Sequence, residues 1–162
     1  MVVVLPPFIY GPYPPGYKAD LYPGSGTNYI FYANVLPKEG GHKLGPQMPL
    51  ARTVDVRDVA KAHILSLTAP PSYKVGRKRL VVAGECFTWK DAIEHLAKTR
   101  PYLRSRLPDT SEAPRIALGK LSVQRAKEVL GLDKYIDWEK TVEDTADALI
   151  RVEKESAASQ RA

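Results

Sequence analysis

Residues 2 to 5 read Val-Val-Val-Leu, and Pro6 and Pro7 follow at once. A run of β-branched residues with no polar residue between them is the pattern of a strand covered on both faces, and such strands sit inside parallel sheets. The run is cut after four residues, and no basic segment precedes it, so it lacks the form of a secretory signal. No stretch approaches the roughly 20 apolar residues of a membrane span, so no membrane association is expected. Val2 to Leu5 therefore reads as a core strand whose neighbours lie elsewhere.

The chain's 162 residues suffice for one core, since a fold of this size buries about 68 to 70% of its unfolded surface. Its net charge of +6 raises the question of an anionic partner. The cations fall in two short groups, Lys74, Arg77, Lys78, Arg79 and Lys98, Arg100, Arg104, Arg106, with no nucleic-acid-binding motif around them. Nucleic acid is accordingly not expected as a partner. Cys86 is the single cysteine, which excludes an internal disulfide and fits a reducing, cytoplasmic setting.

Composition changes near residue 50. The first 50 residues hold nine of the 14 prolines and seven of the 11 glycines, so turns and loops with short ordered pieces are expected there. Two strand-then-helix units follow over 51–99. Arg52 to Val56 is a β-type run, after which Asp58 is placed to cap a helix from Val59 to Leu67 that stops before Pro70 and Pro71. Arg79 to Ala83 is the next strand, and Thr88 with Asp91 forms a capping-box start for a helix from Trp89 to about Lys98. Successive strand and helix units argue for a parallel α/β arrangement. Helices fill 100–155: Ser122 is placed to cap Val123 to Leu130, which Gly131 ends, and Asp137 to cap a helix from Trp138 to about Glu155. Residues 1–155 thus form one partial α/β domain, with 156–162 a frayed tail.

Sites of chemistry are few. His42, His63 and His95 share no ligand spacing with one another or with Cys86, so no metal is expected, and His63 reads as a structural histidine. Gly24-Ser25-Gly26 lacks a third glycine and a strand leading into it, so residues 23 to 27 read as a turn and not a dinucleotide fingerprint.

Three segments carry a family resemblance: Pro-Pro-Phe-Ile-Tyr-Gly-Pro at 6–12, Gly-Thr-Asn-Tyr-Ile-Phe-Tyr at 26–32, and above all Val-Asp-Val-Arg-Asp-Val-Ala-Lys-Ala-His at 54–63. They resemble the extended short-chain dehydrogenase/reductases of the NAD-dependent epimerase/dehydratase family, especially the fungal NAD(P)-dependent aldehyde and ketone reductases and their dihydroflavonol and cinnamoyl-CoA reductase relatives. Segments 79–91, 100–108 and 127–131 and a Trp138-bearing last helix follow in the family's order, so the resemblance runs from residue 2 to about 153. Residues 5 to 7 depart slightly, because relatives often carry an Asn before the prolines.

The resemblance implies the C-terminal part of a Rossmann-like doubly wound parallel sheet with its smaller substrate lobe, the dinucleotide-binding half being absent. It implies NADP or NAD as cofactor and a small carbonyl compound as substrate, with Pro7, Phe8 and Ile9 beside the nicotinamide and Thr27, Asn28 and Tyr32 facing the substrate. The family's glycine-rich loop does not occur, so this chain alone is not expected to hold the cofactor. Its catalytic Tyr-x-x-x-Lys pair, in which an ammonium one turn on lowers the phenol pKa, does not occur either. None of the nine tyrosines has Lys four residues later, and Tyr73 and Tyr102 have Arg77 and Arg106 instead. No catalytic residue is therefore assigned. The expected function is the substrate-side portion of an NAD(P)-dependent aldehyde or ketone reductase, inactive alone. The alternative is a truncated, non-catalytic binding module that pairs its exposed strand with another chain, including a second copy.

Overall fold

The computed structural model describes residues 1–19, 21–22, 25–44, 52–113, 119 and 121–159. Two strands leave the amino terminus, β1 (Val3–Leu5) and β2 (Phe8–Tyr10), followed by α1 (Thr27–Val35). Next come β3 (Thr53–Asp55), α2 (Val56–Ser66), the short α3 (Ser72–Val75) and β4 (Arg79–Val81). Three further helices complete the chain: α4 (Trp89–Thr99), α5 (Gln124–Leu130) and α6 (Trp138–Ser159).

All strand pairings between these elements are parallel. β1 pairs with β4 in the register Val3 to Arg79, whereas β2 pairs with β3 in the register Phe8 to Thr53. The opening strand thus changes partner at Pro6 and Pro7, and proline, lacking an N–H, is where a ladder can break without orphaning a donor. β3 enters at this fork. Phe8 N donates to Arg52 O at 3.1 Å on one side, and Gly84 N donates to Thr53 O at 2.9 Å on the other. The strand expected over Val2 to Leu5 is β1, and a second short strand, β2, follows the prolines.

Helices cover both faces of these strands. Val54, Leu80 and Val82 pack with Val59 and Ala62 of α2 and Ala126, Val129 and Leu130 of α5. On the other face Tyr10 packs with Phe31 and Val35 of α1, Trp89, Ile93 and Leu96 of α4, and Val142, Ala146 and Leu149 of α6. Tyr10 is 1% exposed and lies 5.8 to 6.0 Å from the rings of Phe31, Phe87 and Trp89. Residues 27 to 35 form a helix that turn-rich composition concealed. Phe31, Tyr32 and Val35 are buried and Tyr29 and Ile30 half-buried, so α1 lacks the polar face by which an amphipathic helix is recognised.

Several boundaries differ from the sequence reading. α2 begins at Val56, not Val59, because Asp55 and not Asp58 is its cap: the Asp55 carboxylate accepts from Arg57 N at 2.8 Å. Asp58 lies in the first turn and accepts instead from Ile136 N at 2.9 Å. α5 has Val123 at its N-cap with no side-chain cap, so Ser122 does not serve there, while Gly131 ends the helix in the left-handed conformation at φ 67°. The Thr88–Asp91 capping box is present in full. α6 continues to Ser159, past the expected end near Glu155. His63 Nδ1 lies 2.8 Å from the Val59 carbonyl, one turn back on its own helix.

The Tyr10 hydroxyl is buried with no hydrogen-bond partner, and burial pushes its pKa up. A buried unpaired hydroxyl costs about 1 to 3 kcal/mol. Tyr10→Phe should therefore leave chemical-denaturation stability unchanged or raise it by up to about 1 kcal/mol, and a loss above that would show a partner for the hydroxyl.

Candidate functional site

β2 ends at Tyr10 and β3 at Asp55, and the chain segments leaving these two carboxyl ends meet. Ligand sites in open parallel sheets fall at such ends. Gly11, directly after β2, has φ 134°, and a Cβ there would stand 2.8 Å from Val56 Cγ1 and 3.3 Å from Asp55 Oδ1. Only glycine allows this approach.

Asp55 fixes the geometry. It is 1% exposed, and each carboxylate oxygen takes two donors: Oδ1 from Arg57 N and Nε, both at 2.8 Å, and Oδ2 from Arg57 Nη2 at 2.7 Å and Thr141 Oγ1 at 2.9 Å. Arg57 Nη1 then reaches Asp144 Oδ2 at 2.7 Å, so α6 is bonded twice to the start of α2. The Asp55 hydrogen bonds raise the Arg57 pKa further above its ordinary value. Burial alone would raise the Asp144 pKa, but the bonds from Lys140 and Arg57 outweigh it and hold the group below the ordinary carboxylate value.

Across the site, α1 clamps the other edge of β2. Thr27 Oγ1 donates to the Ile9 carbonyl and Asn28 Nδ2 to the Gly11 carbonyl, the latter at 3.0 Å. Two pockets open to solvent adjoin this clamp. One of about 430 Å³ is lined by Pro6, Pro7, Phe8, Ile9 and Thr27. The other, about 220 Å³, has Ile9, Gly11, Tyr13, Thr27, Asn28 and Val56 in its lining. Asn28 Oδ1 and Ser25 Oγ, beside the second cavity, are buried without a hydrogen-bond partner.

The residues singled out from sequence thus divide. Pro7, Phe8, Ile9, Thr27 and Asn28 come together, with Ile9 and Thr27 common to both cavities. Tyr32 lines neither of them. It is 8% exposed, packs into the core, and carries the Arg106 guanidinium 5.8 Å from its ring centre. Arg106 is itself engaged by the Leu36 and Pro37 carbonyls and by Glu153, and Tyr102 donates to Asp147, so Tyr102 and Arg106 do not pair with each other. Gly11, Asp55 and Val56 were not singled out. The Gly-Pro turn after a strand was the available sign for Gly11; Asp55 was read as strand, which hid its capping role.

No group of three or more His, Cys, Asp or Glu among the described residues could hold a metal ion, and no helix among them is long and apolar enough to cross a membrane.

No family model matches the sequence. Curated relatives do. A putative NADPH-dependent methylglyoxal reductase of Candida albicans is 34% identical over 101 residues, covering 60% of this chain and 28% of that protein. The NADPH-dependent methylglyoxal reductase of Saccharomyces cerevisiae is 33% identical over 104 residues, 62% of this chain and 29% of that one. Among solved structures, yeast methylglyoxal/isovaleraldehyde reductase Gre2 complexed with NADPH superposes with a TM-score of 0.68 at 25% identity, covering 94% of this chain and 44% of that one. A UDP-glucose 4-epimerase of Thermotoga maritima shares the fold at TM-score 0.60 and 20% identity, over 93% of this chain and 46% of that one. The chain is a homologue of the fungal NADPH-dependent methylglyoxal reductases and carries the C-terminal part of the Rossmann-like, epimerase-type short-chain dehydrogenase/reductase fold. It spans about three tenths of the length of the curated relatives it matches, and under half of the solved structures.

Two outcomes are expected here. Gly11→Ala should lower stability by about 1 to 3 kcal/mol, through positive φ and the collision with Val56, and denaturant melts measure it. Burial raises the Asp58 pKa above its ordinary 3.8. Its contribution is thus complete below that value and lost as pH rises through the folded-state pKa. Asp58→Asn keeps an acceptor for Ile136 N–H and should show a Tm at pH 7 equal to or above wild type. A variant less stable at pH 7 than at pH 4, relative to wild type, would contradict this.

Proposed function

We propose that the chain is the substrate-side portion of an NADPH-dependent reductase that converts a small aldehyde or ketone to its alcohol. The observation that carries this reading is the convergence of Pro7, Phe8 and Ile9 with Thr27 and Asn28 around two adjoining cavities at the carboxyl ends of β2 and β3. When bound, NADPH or NADH would supply the hydride for such a reduction. The wall of Pro6, Pro7 and Phe8 suits a flat ring, but the sequence holds no glycine-rich loop for a pyrophosphate. The residues present therefore fit the ring end of the cofactor and not the whole dinucleotide, and no step is assigned through it.

The substrate would lie in the cavity between Ile9, Asn28 and Val56. No catalytic residue is assigned in this chain, since no tyrosine has a lysine four residues on. The absence of that pair equally favours the second reading, a non-catalytic binding module. Among the described strands, β1 has one paired edge, and its other edge would meet a dinucleotide-binding half or, without one, a second copy.

Fluorescence titration with NADPH, followed by methylglyoxal-dependent NADPH oxidation, tests this. The chain alone should bind NADPH weakly and turn nothing over. Mixed with the amino-terminal half of a fungal relative it should gain activity. Tight NADPH binding by the chain alone would overturn the proposal, and a formed but inactive complex would favour the binding module.

A further inference from the structure

We infer that the segment Pro14-Pro15-Gly16-Tyr17 is a docking motif for a small proline-reading domain of the WW type. All four residues face solvent, with Tyr17 60% exposed, and Pro15, Gly16 and Tyr17 line neither pocket of the candidate site. Their conformation is set by their own sequence. Proline locks φ at about −65°, and a residue that precedes proline is held extended, so Pro14 is confined to the polyproline II region and Pro15 continues it with φ already fixed. Tyr17 N then donates to Pro14 O at 3.1 Å across Pro15 and Gly16, the latter at φ 78°. Proline followed by glycine is what the two central places of a type II turn require. The turn brings Tyr17 back toward Pro14, so two proline rings and a phenol are presented together. Beneath them Tyr13 packs against the aromatic core and stacks on Tyr17, with 5.7 Å between ring centres and 17° between planes. The segment is thus held out from a fixed base, and little conformational freedom remains to be lost on docking.

The kind of partner follows from these side chains. Adjacent prolines on a polyproline II turn offer a ridge of rings with no N–H of their own, and grooves lined by aromatic residues recognise such a ridge. Tyrosine adds a large, stiff apolar body with a polar tip, which suits a neighbouring pocket. A groove with an aromatic slot for Pro14 and Pro15 and a pocket for Tyr17 matches this set. An SH3-type groove reads prolines spaced three apart, and Pro12 and Pro15 have that spacing. Pro12, however, is half-buried next to Gly11 and faces the smaller pocket of the candidate site. The exposed proline pair and the exposed tyrosine therefore select the WW-type groove. Pro14 also lines the smaller pocket, so a domain docked on this segment lies beside the candidate site.

The probe is an isotope-labelled WW domain of the class that binds Pro-Pro-x-Tyr peptides, titrated with the unlabelled full chain and followed by amide NMR. Wild type should shift the amides of the domain's aromatic groove saturably. Tyr17→Ala and Pro15→Ala should each weaken binding by about tenfold or more, and Pro12→Ala by less than about twofold. Far-UV circular dichroism reports folding of each variant, and Pro15→Ala carries the test if Tyr17→Ala loses its helical signal. An unchanged spectrum of the domain, or equal binding by wild type and the folded variants, would overturn the inference. So would a larger loss in Pro12→Ala than in Tyr17→Ala, which would reassign the segment to an SH3-type groove.

Discussion

The buried carboxylate of Asp55 is the joint on which this structure turns. It ends β3, caps α2, accepts from Arg57 Nε and Nη2 and receives the Thr141 hydroxyl from α6. A carboxylate removed from water is costly unless every lone pair is engaged, and here each oxygen has two donors. Because the donors come from different elements, satisfying this one group orients three of them. Removing the carboxylate would leave Arg57 partly buried with only its Asp144 partner, three of its four bonds gone, which is why breaking such a pair costs more than making it gains.

From that joint the site follows by geometry. Tyr10 lies opposite Asp55 in the parallel register, so the turn leaving β2 is carried against the start of α2. Gly11 permits the close approach to Val56. The fork at Pro6 and Pro7 lets one strand serve two partners, β4 at its beginning and β3 at its end. A second set of bonds on the far side of α6, His95 to Glu143 at 2.8 Å and Arg100 to Asp147 at 2.8 Å, fastens that helix to α4. The pocket wall is thus connected through α6 to the aromatic core around Tyr10.

How much of this was legible in the sequence depended on whether the signal was local. The Thr88–Asp91 box and Gly131 are local devices and read correctly. The parallel arrangement was legible from strand and helix alternation. What was missed depended on tertiary environment. α1 is buried over most of its surface, so it offers no periodic polar face. Asp55 and Asp58 are equally good caps on paper; only the Ile136 amide and the Thr141 hydroxyl, 78 and 86 residues away in sequence, decide between them. Tyr32, which the family resemblance groups with Thr27 and Asn28, carries the Arg106 guanidinium over its ring.

Native-state hydrogen exchange on Asp55→Asn tests the central claim most directly. If Asp55 joins the sheet fork, α2 and α6, amide protection should fall together in β2, β3, the first turn of α2 and the amino-terminal half of α6, while the Thr88-capped start of α4 keeps its protection. Loss confined to the first turn of α2 would reduce Asp55 to an ordinary helix cap and contradict the account.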